Sequence, residues 1–112
     1  MSDTGVWFRA FLLTVAIEGP IVLAMTRDAT MSWRRRAPLV VAAQLMTHPL
    51  VWYVFPSLSF PRRTTFVLSE LFAWAAEAAF YAAAQVTSSP LRAVAVSALA
   101  NGASVAIGYF FF

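Results

Sequence analysis

Four long apolar stretches make up most of this chain, and each carries one strongly polar residue near its middle. These residues are Glu18, His48, Glu77 and Asn101. A charged or amide side chain is costly in hydrocarbon unless it faces a polar partner or a wet cavity. Each stretch has about 20 residues, enough for a helix to cross a bilayer, so the four side chains should lie at similar depth. The sequence therefore predicts four membrane-spanning helices around a shared polar centre.

The composition excludes a water-soluble fold. Of the 112 residues, 61% are hydrophobic and only 12% are charged. Soluble domains have about 25% charged residues, and a domain of this size cannot bury so much apolar surface. We therefore expect an all-α integral membrane protein in which residues 1–112 form a single domain. Its four transmembrane helices should form an up-down antiparallel bundle with a polar centre, surrounded by the lipid bilayer.

Prolines and arginines mark the ends of the predicted spans. The loop after the first span holds the run Arg34–Arg36, and the next loop holds Pro56 and Pro61, which break helices. Pro20 and Pro49 lie inside spans, where each removes a backbone donor and predicts a kink. The four predicted spans are residues 6–26, 37–55, 66–86 and 93–112.

The arginines also predict an orientation. Membrane proteins carry an excess of basic residues in their cytoplasmic loops. Loops 27–36 and 87–92 hold five arginines, against three on the other side. We expect these loops in the cytoplasm and both termini outside, as in a bacterial inner membrane, with a flipped or dual topology as the alternative. The net charge of +3 is explained by such loops and by lipid contacts, so we expect no nucleic-acid partner.

Helical spacing places further polar residues on the same faces as the four central ones. In each span they recur at steps of three or four residues, which places them on one side of a helix. The stripes are Thr14 and Glu18; Gln44, His48 and Trp52; Glu70, Trp74, Glu77 and Tyr81; and Ser97, Asn101, Ser104 and Gly108. Stripes that face a common axis would form a polar interior within a lipid-facing apolar shell.

The carboxylates carry the main functional hypothesis, which is proton-coupled transport or ion conduction. Glu18 and Glu77 lie near their helix midpoints, and Glu70 lies about 10 Å from Glu77 toward the second loop. Protonatable groups in a membrane interior mark ion pathways and proton relays. We expect His48 to act as a relay and Asn101 as an orienting group. Supporting residues would be Gln44, Trp74, Tyr81, Ser97 and Ser104.

One four-helix subunit has little room for a pathway, so this hypothesis predicts a homo-oligomer. The structural alternative for each glutamate is a hydrogen bond to His48 or Asn101 that only holds the helices together. In that case the chain would be a non-catalytic accessory or assembly subunit of a larger membrane complex, with its small-residue faces docking partner helices.

A third hypothesis is an intramembrane metal-binding protein or enzyme centred on Glu18, His48 and Glu77. These side chains would form a mixed nitrogen and oxygen site. The chain has no cysteine and one histidine, so a thiolate site is excluded. It also has no HExxH, GxSxG or Walker motif. We therefore predict no catalytic residue and no cofactor other than such a metal ion, and the sequence favours a role that is not enzymatic.

Overall fold

Four long helices follow one another in the computed structural model, which describes the backbone of residues 3–111 and the side chains of residues 5–108. They are α1 (Asp3–Met25), α2 (Trp33–Pro49), α3 (Arg62–Ala83) and α4 (Pro90–Phe111). The described residues include no strand. Four segments are long and apolar enough to cross a membrane, which confirms the predicted all-α membrane class.

The helices contact one another in a closed ring. Each helix packs against the next along the chain, and α1 also packs against α4. Along α1 and α2 the contacts run in opposite chain directions, because Arg36 bonds to Leu23 and Gln44 bonds to Glu18. This order of contacts fits an up-down bundle. The longest dimension is 41 Å, close to the full thickness of a bilayer with its headgroups, about 40–45 Å.

Pro49 changes the type of helix in the second span. Up to this residue α2 is α-helical, and it continues as a π-helix over Leu50–Val54 and a 3₁₀ turn over Phe55–Leu58. Proline has no N–H to donate to the carbonyl four residues earlier, so the regular bonding pattern cannot continue past it. The second span therefore reaches Leu58 rather than residue 55. By contrast, α1 runs through Pro20 as one α-helix.

The remaining helix ends lie a few residues earlier than the spacing predicts. The chain turns back at Ser59, and α3 begins at Arg62 rather than at residue 66. Pro90 is the first residue of α4, where a missing N–H costs nothing, and the Ser89 hydroxyl accepts the N–H of Arg92 at 3.1 Å. The loops therefore cover residues 26–32, 59–61 and 84–89.

A left-handed residue ends α3. Gln85 has a φ of 60°, its N–H bonds to the Ala82 carbonyl at 3.2 Å, and the Val86 N–H bonds to the Tyr81 carbonyl at 2.9 Å. This pair of bonds is a Schellman motif, which normally has glycine at the left-handed position. Val86 and Tyr81 are both fully buried in one apolar cluster, so the usual hydrophobic contact of the motif is present.

The end of the bundle that carries the first and third loops is closed. Buried apolar side chains from all four helices fill it, including Val22, Val40, Tyr81 and Val96. The Asp28 carboxylate joins the two loops, since it lies 3.3 Å from the Arg92 guanidinium and accepts the Ser88 hydroxyl.

Arg36 is buried at the same end of the bundle and binds backbone carbonyl groups there. It is only 6% exposed, and its guanidinium donates to the carbonyls of Met31 at 3.0 Å and Leu23 at 3.1 Å and to the Thr26 hydroxyl. The carbonyl of Leu23 lies in the last turn of α1, where no backbone N–H follows to satisfy it. The sequence had placed Arg36 in a loop as an orientation signal, and the structure makes it a cap for α1.

Candidate functional site

A single amide joins the two central carboxylates. The Gln44 Nε2 atom donates to Glu18 Oε1 at 2.8 Å and to Glu77 Oε1 at 2.9 Å. The two carboxylate oxygens are therefore no farther apart than the sum of these distances. All three side chains are at most 2% exposed. We call Glu18, Gln44 and Glu77 the carboxylate centre; it connects α1, α2 and α3 at mid-bundle.

Two further side chains bind the carboxylate of Glu77. The Thr47 hydroxyl lies 3.1 Å from Glu77 Oε2 and 3.2 Å from the Ala43 carbonyl, between which its one proton is shared. The Asn101 Nδ2 atom lies 3.4 Å from Glu77 Oε1 and donates to the Ser97 carbonyl at 2.9 Å. Because Asn101 lies on α4, every helix contributes to the hydrogen bonds of the centre. Glu77 thereby has donors on both oxygens, which a buried carboxyl group requires.

A cavity of about 480 Å³ lies beside the carboxylate centre and is partly open. It reaches Arg62 at the start of α3, Trp52 in the π-helix and Gly108 near the end of α4. These three positions lie toward the second loop, so the cavity extends from the middle of the bundle to that side. At the opposite side the packed apolar cluster follows directly, and none of its described side chains lines the cavity, so we call the end near the second loop the mouth.

Members of all four predicted polar stripes line this cavity. Helix spacing could place each stripe on a face, and the packing brings these faces together. The lining stripe residues are Thr14, Glu18, Gln44, His48, Trp52, Glu70, Glu77, Asn101, Ser104 and Gly108. The rest of the wall is mainly apolar and includes Leu13, Ile17, Val51, Phe66 and Val105.

His48 lies in the cavity wall among aromatic rings and apart from the hydrogen bonds of the carboxylate centre. Its ring stacks on Trp52 at a centroid distance of 5.9 Å and meets the edge of Phe11 at 5.7 Å. It is 7% exposed, and its Nδ1 atom has no hydrogen-bond partner among the described residues. The described hydrogen bonds thus do not join His48 to Glu18 or Glu77 as the relay hypothesis expects.

Glu70 lies on the wall between the mouth and the centre. It is partly exposed and lines the cavity two turns before Glu77 on α3. Arg62 lies two further turns toward the second loop on α3 and also lines the cavity. Along α3 the cavity therefore presents one cation at its mouth and carboxylates farther in.

Three of the predicted supporting residues do not line the cavity. The Trp74 Nε1 atom donates to the Val94 carbonyl at 2.9 Å, and the Ser97 hydroxyl donates to the Trp74 carbonyl at 2.9 Å. These bonds join α3 to α4 one turn from Asn101. Tyr81 is fully buried in the apolar cluster at the closed end. These residues hold the helices that carry the centre.

The metal hypothesis finds no geometric support. In the described part of the chain, no three His, Asp or Glu side chains are grouped so that they could hold a metal ion. Glu18 and Glu77 lie together, but His48 faces the aromatic wall.

Two residues of the site lie outside the polar stripes that the sequence predicts. Thr47 belongs to none of the predicted stripes, and its hydroxyl reaches both the Ala43 carbonyl and Glu77. Arg62 was placed in a loop, and it lines the mouth of the cavity. Thr47 lies one turn after Gln44, and Arg62 lies two turns before Glu70, so helical spacing extended along each stripe would have found both.

No protein-family model, curated protein or solved structure matches this chain.

Proposed function

We propose that this protein is a small proton-coupled membrane carrier whose carboxylate centre binds the proton. The observation that carries the proposal is that one amide bridges Glu18 and Glu77 at the inner end of a partly open cavity that extends toward the second loop. Carboxyl groups are costly in a membrane interior and are retained there chiefly on ion or substrate pathways. Hydrogen bonds that served only to join helices would not need a cavity beside them.

The pair of carboxyl groups suits the transfer of a single proton. Two bare charges this close would repel each other and would lack bulk water, whereas one shared proton removes the repulsion. The donors from Gln44, Thr47 and Asn101 stabilise the charge that remains. Glu70, between the mouth and the centre, is the entry position for the proton.

The closed end of the bundle favours a carrier over an open ion channel. Fully buried side chains such as Val22, Tyr81 and Val96 block the way from the centre to the first and third loops. Access to that side requires the helices to move. Gly19 and Pro20 directly follow Glu18, and Pro49 directly follows His48, so both α1 and α2 have a weakened backbone next to the cavity. We propose these two positions as the hinges.

Proton movement into liposomes tests the function. Purified protein is reconstituted with an entrapped pH-sensitive dye, and a potassium gradient with valinomycin sets a membrane potential. We expect proton uptake above that of protein-free liposomes, and we expect Glu77→Gln to abolish it because the substituted amide cannot carry the proton. Asp28→Asn is the matched control, since it removes a carboxylate from the exposed ion pair of the loops.

Equal uptake by the wild type and Glu77→Gln would contradict the proposal. A misfolded variant would also lose uptake, so the helix content and the elution volume of Glu77→Gln are measured alongside.

We retain a homo-oligomer and a bacterial inner-membrane location, with loops 27–36 and 87–92 in the cytoplasm, as parts of the proposal. The cavity lies within one chain, so binding does not need a second copy. Native mass spectrometry of gently extracted protein tests the assembly. A stable complex with other membrane subunits would favour the accessory role instead, and a cysteine introduced into each loop for labelling from either side tests the orientation.

A further inference from the structure

We propose that the cavity binds a small organic molecule that has an apolar body and a primary ammonium group, with the ammonium held by Glu18 and Glu77. This inference rests on the proposed function, because it names the class of cargo for the same site. It follows from four properties of the cavity: its size, its charge, its hydrogen-bonding chemistry and an unsatisfied side chain in its wall.

The size of the cavity points to an organic molecule. Its volume is about 480 Å³, within the range of small-molecule sites, about 300–1,000 Å³. A water molecule occupies only about 30 Å³ in the liquid, so a proton path or a bare metal ion would leave most of this space unexplained. Much of the wall is aliphatic or aromatic, and it would pack against an apolar body.

The charge of the inner end points to a cation. Three carboxyl groups line the cavity, those of Glu18, Glu70 and Glu77. Of the described lining residues, Arg62 is the one arginine, and it lies eight residues, about 12 Å, before Glu70 along α3. A ligand anion at the centre would meet carboxylates and no arginine. A cation there would offset one negative charge of the pair.

The hydrogen bonds of the centre select a cation with N–H groups. The NH₂ group of Gln44 already lies between the two carboxylates, at 2.8 and 2.9 Å from one oxygen of each. Asn101 offers a second NH₂ group to Glu77. A primary ammonium has three N–H donors and a full charge, so it fits the same acceptors more strongly than a neutral amide does. A quaternary ammonium has the charge but no donor.

His48 provides a second observation, independent of the carboxylates, that points to a ligand in the cavity. It is more than nine-tenths buried, it lines the cavity, and its Nδ1 atom has no hydrogen-bond partner among the described residues. Buried polar atoms are nearly always satisfied, so an unpaired one at a cavity wall calls for an explanation. The stacked rings of His48 and Trp52 both line the cavity and provide a flat surface for the apolar body of the ligand.

Four related probes separate these properties. Phenethylamine has the ammonium and an apolar ring, its N-trimethylated form keeps the charge but has no N–H, phenylethanol is neutral, and phenylpropionate is an anion. Binding to the purified protein in detergent is followed by tryptophan fluorescence, because Trp52 lines the cavity. A Trp52→Phe variant identifies the part of the signal that comes from the cavity.

We expect saturable binding of phenethylamine, and about tenfold to hundredfold weaker binding of the trimethylated form, since a hydrogen bond to a charged group contributes about 1.5–3 kcal/mol. Phenylethanol should bind more weakly still, and phenylpropionate should not bind. Glu18→Gln should weaken phenethylamine binding by a similar factor, while Asp28→Asn should leave it unchanged. The comparison of probes uses the wild-type protein, so it holds even if the Glu18 variant fails to fold.

Three results would overturn the inference: no binding of phenethylamine, equal binding of phenylethanol, or equal binding of the trimethylated probe. The assay also separates this inference from the proposed function. Proton uptake without amine binding would support the proposed carrier and exclude the amine as its cargo. Amine binding without proton uptake would support the amine site and contradict the proposed proton transport.

Discussion

The most direct test of the carboxylate centre is to remove the amide that bridges it. In Gln44→Met the side chain keeps its length and lack of branching but loses both N–H donors. Glu18 and Glu77, which are 2% and 1% exposed, would each lose one hydrogen bond. We expect the free energy of unfolding to fall as a result.

The expected loss of unfolding free energy follows from the two hydrogen bonds that Gln44 donates. A hydrogen bond between membrane helices contributes about 0.6 kcal/mol on average and about 1.7 kcal/mol at most. The bonds of Gln44 go to buried carboxyl groups, which places them in the upper half of that range. Two bonds of about 1 kcal/mol each predict a loss of about 2 kcal/mol. The neighbouring cavity admits water that would replace part of each bond, so the loss should not reach the full cost of two buried unsatisfied groups.

Unfolding in mixed micelles with increasing mole fraction of sodium dodecyl sulfate measures this loss. Leu45→Met is the matched control, because Leu45 is the next residue on α2, is 53% exposed, and should change stability by less than about 0.5 kcal/mol. A double-mutant cycle of Gln44→Met with Glu77→Gln should give a coupling energy of about 1 kcal/mol. A loss below about 0.5 kcal/mol for Gln44→Met, or no coupling, would refute the bridging role.

Two further predictions concern the ends of the helices. Gln85→Gly should raise the free energy of unfolding by about 0.5–1 kcal/mol, because glycine adopts the observed φ of 60° without steric cost; the micelle assay measures it, and a loss of stability would contradict it. Arg36→Met should lower stability by about 2–3 kcal/mol, since the buried carbonyls of Met31 and Leu23 lose a charged donor. Arg36→Lys should recover only part of this loss, and full recovery would show that charge alone suffices.

Composition and periodicity were enough to predict the class of the fold. The apolar stretches are long enough to cross a bilayer, and lipid allows few solutions other than helices for such segments. The polar stripes were also readable, because residues three or four apart share a helix face in any context. For that reason the sequence alone points to Glu18, Gln44, His48, Glu70, Glu77 and Asn101.

Only the packing of the helices decided what these stripes do. Which atoms meet depends on the rotation and depth of each helix, and single-helix spacing does not specify either. Packing therefore made Gln44 the bridge between the carboxylates, placed His48 against Trp52 instead of beside Glu77, and turned Arg36 from an expected loop residue into a buried cap. The cavity likewise exists only between helices, because no single stripe encloses a volume.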